Sequence, residues 1–93
     1  MIKVIWKYEL KIKDVQDIEI PSGSILLSIQ SQENHPMLWA LVDETNKEKE
    51  IIRLRTICTG EEIMEEDFNP KDYLGTYQLN EGLFVGHVFQ VTL

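Results

Sequence analysis

Ninety-three residues leave room for one hydrophobic core, so a single domain over residues 1–93 is expected. A hydrophobic fraction of 43% speaks against disorder, and a formal charge of −7 speaks against bulk nucleic-acid binding, which needs a basic excess to release counterions. Cys58 is the only cysteine, so no internal disulfide can form, and a reducing cytoplasm is the expected compartment.

The first segment, MIKVIWKYELKIK, carries lysines throughout and reads as a strand, not a signal peptide. Val4, Trp6, Tyr8, Leu10 and Ile12 alternate with Lys3, Lys7, Glu9 and Lys11, and Ile5 is the one apolar exception. Asp14 and Asp17 mark a break before a short strand at Ile18 to Ile20. Pro21-Ser22-Gly23-Ser24 then supplies turn chemistry. Ile25 to Gln32 is the next strand, with Ile25, Leu27 and Ile29 expected on its apolar face. Glu33-Asn34-His35-Pro36 reads as a hairpin loop.

Met37 to Val42 is apolar on both faces, so it is either central and covered twice or presents one face to a partner. After a charged connection, Ile51 to Cys58 forms a strand with Ile52 and Leu54 inward and Arg53 and Arg55 outward. Thr59-Gly60-Glu61-Glu62 matches a capping box, which predicts one short helix stopped by Asn69-Pro70. Leu74 to Leu79 and Leu83 to Leu93 are the last strands, joined by a hairpin at Asn80-Glu81-Gly82 with glycine left-handed. The fold class that follows is mostly β: a small antiparallel sandwich or barrel of about seven short strands.

The chemical inventory is thin. Two histidines and one cysteine offer no metal spacing, no phosphate-cradling glycine motif occurs, and Cys58 has no sequence-adjacent base. No enzyme activity, metal or cofactor is expected. His87 alternates with Leu83, Val85, Phe89 and Val91, which places it on the core face with either a backbone bond or a ligand. Against a negative chain, the cations Arg53, Arg55 and Lys7 and the aromatics Trp6, Trp39 and Tyr77 could serve a phosphate-bearing ligand. Arginine grips phosphate with a two-pronged fork and aromatic faces stack on bases. With His87, these residues are the candidate ligand-binding set. The competing surface is the acidic run Glu61, Glu62, Glu65, Glu66 and Asp67, suited to a basic protein partner.

Five stretches carry a resemblance: Ile5-Trp6-Lys7-Tyr8, Leu38-Trp39-Ala40-Leu41-Val42-Asp43, Thr59-Gly60, Tyr73-Leu74-Gly75-Thr76-Tyr77-Gln78-Leu79 and Gly86-His87-Val88-Phe89. In order and spacing the chain resembles a group of short, uncharacterised proteins of tailed phages and prophages. It departs from them at Glu61-Glu62 and at the C-terminal Val91-Thr92-Leu93. The resemblance implies residence in the cytoplasm of an infected or lysogenic bacterium. It implies a setting and no activity. In that setting the basic strand faces, the aromatics along the strands and the two-faced strand Met37 to Val42 lead to the expectation of a binding protein that antagonises host defence by sequestering a nucleotide-derived signal, as a homo-oligomer. An acidic inhibitor of a host defence or DNA-binding protein, and a structural or accessory phage protein, are the alternatives.

Overall fold

Alternation and turn chemistry produce the expected architecture. In a computed structural model describing residues 2–92, those residues form seven strands and no α-helix. The strands are β1 (Val4–Glu9), β2 (Val15–Pro21), β3 (Ile25–Gln32), β4 (His35–Val42), β5 (Lys49–Cys58), β6 (Tyr73–Leu79) and β7 (Phe84–Val91). They pair antiparallel into two sheets, β1-β4-β3 and β2-β5-β7-β6.

The inner faces of the two sheets share one core, a sandwich-like arrangement. Leu38 of β4, Ile29 of β3, Leu54 of β5, Tyr77 of β6 and Val88 of β7 are all buried in one cluster. The sheets meet most closely where β3 passes β6. A Cβ on Gly75 would lie 2.9 Å from the Ile29 carbonyl oxygen, so only glycine admits this approach.

Two hairpin turns hold one end of the sandwich together. Glu33 and Asn34 form a two-residue turn with φ of 51° and 63°, and Asn80, Glu81 and Gly82 are all left-handed. Asparagine tolerates that region because its short side chain bonds locally. Here the two asparagines also bond each other. Asn34 Nδ2 donates to Asn80 Oδ1 at 2.9 Å, and the Asn80 N–H donates to Asn34 Oδ1 at 2.7 Å. One turn belongs to each sheet, so the pair ties the sheets directly.

Four local expectations require correction. In β3 the register shifts between Leu26 and Ser28, and this bulge reverses the facing of the strand's first half. Ile29 and Leu26 pack inward, whereas Ile25 and Leu27 are 51% and 46% exposed. Ile12 is also exposed, because β1 ends at Glu9 and the chain turns away. Gln16 fixes that turn, accepting from the Lys11 N–H at 2.9 Å and donating to the Lys11 carbonyl at 2.8 Å.

No helix follows Thr59. Gly60 is left-handed at φ 87°, and the threonine hydroxyl that would cap is bonded to His87 Nε2 at 2.7 Å. Glu61 accepts from the Cys58 N–H at 3.1 Å, and only 3-10 turns at Glu65–Asp67 and Pro70–Asp72 interrupt the segment. Finally, β7 buries Gly86 and Val88, so His87 lies on the opposite, outer face with Phe89.

Candidate functional site

The outer face of the β1-β4-β3 sheet leaves apolar side chains uncovered. Antiparallel register sets residues that face each other on the same side, so Ile5 of β1, Leu41 of β4 and Ile25 of β3 form one row across the sheet. Ile5 is 60% exposed, and Leu27 turns outward from the bulge beside the row. Trp39 lies in the next row between Lys7 and Ser28, half-buried. Polar groups border this apolar end. Lys7 Nζ donates to Gln32 Oε1 at 2.6 Å, and His35 Nδ1 lies 3.3 Å from Glu9 Oε1. The result is an apolar centre with a mixed-charge rim, the composition of a protein-contact surface.

The outer face of the other sheet is chemically different. Asp17 of β2 stands opposite Arg53 of β5 and fills its guanidinium fork, with Nε–Oδ1 at 2.8 Å and Nη2–Oδ2 at 3.1 Å. This bond holds the Asp17 carboxyl below its usual range and pushes Arg53 higher still. Arg55 borders an open groove of about 460 Å³ between the sheet and the segment before β6. Glu66, Asp67 and Asp72 line the same groove. Phe68 packs edge-on against Phe89, with centroids 4.6 Å apart, and Tyr73 tilts onto Phe89 from the other side. This small aromatic cluster pins the segment onto β7.

His87 sits beside that cluster with both ring nitrogens engaged. Nε2 bonds Thr59 Oγ1, and Nδ1 bonds Thr76 Oγ1 at 2.9 Å, whose hydroxyl in turn bonds Tyr73. These partners are side chains of β6 and of the turn after β5, so the ring ties both segments to its own strand, β7. Among the described residues, no group of three or more His, Cys, Asp or Glu side chains is disposed to hold a metal ion. Among those same residues, no helix is long and apolar enough to cross a membrane.

The residues singled out from sequence therefore do not converge. Lys7 and Trp39 share the outer face of one sheet, while Arg53, Arg55 and His87 lie on the outer face of the other. Trp6 pairs with Ala40 on the inner side of β1, edge-on to Tyr8 at 6.5 Å. Tyr77 is 1% exposed and belongs to the core, which removes it from any surface contact. Sequence reasoning missed Ile5, Ile25, Leu27 and Leu41 as a surface. Two signals pointed there: the second apolar face of Met37 to Val42, and Ile5 breaking the alternation of β1.

The model of the family described as "Domain of unknown function (DUF7352)" matches residues 1–93, and the chain belongs to that family. No curated protein and no solved structure matches it.

Proposed function

We propose that this member of the family is a non-catalytic binding protein whose working surface is the outer face of the β1-β4-β3 sheet. The observation that carries this reading is the row Ile5–Leu41–Ile25, exposed at both ends and half-buried at Leu41, with exposed Leu27 and half-buried Trp39 beside it. Water-exposed apolar side chains grouped on a regular sheet gain most by burial against another protein. The partner fitting this face presents large apolar side chains at its centre and charges of both signs around them. The likeness to short phage and prophage proteins supports a stoichiometric antagonist of a host defence protein.

Sequestration of a nucleotide signal is the competing reading, and the surroundings of the arginines weigh against it. A phosphate approaching Arg53 must displace Asp17 from a two-pronged bond. At Arg55 it must enter a groove shared with three carboxylates. Like charges there oppose the ligand that the arginine would attract. A thermal-shift screen of the parent protein against nucleotides and cyclic nucleotides is therefore expected to give no rise in Tm. A nucleotide that raised Tm in the parent but not in Arg55→Ala would return the working surface to the other sheet.

A further inference from the structure

β1 is the edge of its sheet. β4 occupies one side of it, and among the described residues no strand lies on the other. An unpaired strand edge offers a row of N–H and C=O groups to any chain that can match its side chains. We infer that a second copy of this chain pairs with β1, antiparallel, so that the two three-stranded sheets join into one.

Side-chain chemistry selects the register. About a two-fold axis perpendicular to the sheet, outer residues stand opposite outer residues only when the axis passes between one residue of β1 and its own copy in the partner. An axis at Ile5 sets Lys3 against the partner's Lys7, and an axis at Lys7 sets that lysine against itself. Both place like charges directly opposite, which is destabilising. An axis at Tyr8 calls on Leu10, which lies beyond β1, is buried, and already gives its N–H to the Pro36 carbonyl at 2.9 Å.

The axis at Trp6 opposes no like charges, and the one residue it calls on beyond β1, Lys3, is exposed where Leu10 is buried. It sets Trp6 against the partner's Trp6 on the half-buried inner side, and Val4 against the partner's Tyr8. On the outer side Ile5 meets the aliphatic stem of the partner's Lys7. Lys3 then faces the partner's Glu9 at each end, and symmetry makes this opposite-charge pair twice. Glu9 already lies against His35, with its Oε1 3.3 Å from the ring Nδ1. The lysines that would shield a lone edge strand thus become the groups that fix its register. The pairing leaves Ile25, Leu27 and Leu41 uncovered, so it goes beyond the protein-binding reading and does not depend on it.

Light scattering of the full chain over a concentration series tests the inference. The parent is expected to move from monomer to dimer as concentration rises. Lys3→Glu and Glu9→Lys should each weaken the dimer about tenfold, because two attractive surface pairs become repulsive. The double reversal Lys3→Glu with Glu9→Lys should restore it. Lys3 and Glu9 are both exposed, and unchanged circular dichroism confirms that the variants fold. Amides of β1 should also gain hydrogen-exchange protection with concentration in the parent and not in the single variants. A monomer at every concentration, or a dimer indifferent to the single reversals, overturns the inference. A dimer lost in Leu27→Asp yet kept in Lys3→Glu also overturns it, assigning self-association to the sheet face instead.

Discussion

Gly86→Ala is expected to destabilise the protein by about 3 kcal/mol, the upper part of the range for overfilling a packed core. Gly86 of β7 stands opposite Tyr77 of β6, and the tyrosine ring lies across the glycine. A Cβ there would come within 2.6 Å of Tyr77 Cζ, 2.8 Å of its hydroxyl and 2.9 Å of Thr56 Cγ2. The ring cannot swing aside, because it is buried in the shared core and stacks near Phe84 with centroids 6.0 Å apart. Its hydroxyl is already poorly served. Burial pushes the phenol up more than the approach of Thr56 draws it down, and no bond of ordinary geometry reaches the oxygen. Denaturant titration measures the loss through the midpoint. Gly60→Ala is the control: nothing lies within 4 Å of its added carbon, so only the strain of φ 87° is felt. That cost is about 1 kcal/mol. If Gly86→Ala proved no worse than Gly60→Ala, the packing of Tyr77 over β7 would be wrong.

Gly75→Ala should be comparably severe for a different reason. The added carbon would meet the Ile29 carbonyl oxygen at 2.9 Å and its nitrogen and Cβ at 3.0 Å. The oxygen and nitrogen are backbone atoms held by the β3–β4 ladder, where Ile29 pairs with Leu38, and the Cβ moves only with them. A side chain can change rotamer, but a laddered backbone moves only with its sheet. The relief available is separation of β3 from β6, which opens the core between the sheets. A loss of about 3 kcal/mol is expected, accompanied by faster amide exchange in β3 and β6. Exchange accelerated only near residue 75 would show that the two sheets are not joined at this seam.

Most of the architecture could be read from residue order. All seven strands overlap the segments that alternation and turn residues mark, because a half-buried strand must repeat every two residues, but β1 stops short of Ile12, β2 takes in Asp17 and β4 takes in His35-Pro36. What failed was facing and partnership. The extra residue at Leu27 leaves no mark in the sequence, yet it reverses the outward set of β3 and adds Ile25 and Leu27 to the exposed face. His87 was assigned to the core because it alternates with apolar residues. Of those residues, Phe89 is covered from outside, by Phe68 and Tyr73, a contact between segments distant along the chain, while Leu83 stays 90% exposed. The capping box failed for a similar reason, since His87 takes the Thr59 hydroxyl. Arg53 appeared available only because its partner, Asp17, lies on another strand. Pairing between distant segments decides each of these cases, and local pattern carries little of it.

Site-specific photo-crosslinking in bacterial cells addresses the proposed working surface most directly. A photoreactive side chain at position 27 probes the apolar face, and one at position 51 probes the other sheet, where Ile51 is 46% exposed. Protein binding through the β1-β4-β3 sheet is expected to give a discrete adduct from position 27, heavier than two copies of the chain and reduced by Ile25→Asp. Position 51 should give none. An adduct from position 51 alone, or one from position 27 that Ile25→Asp leaves undiminished, would contradict it.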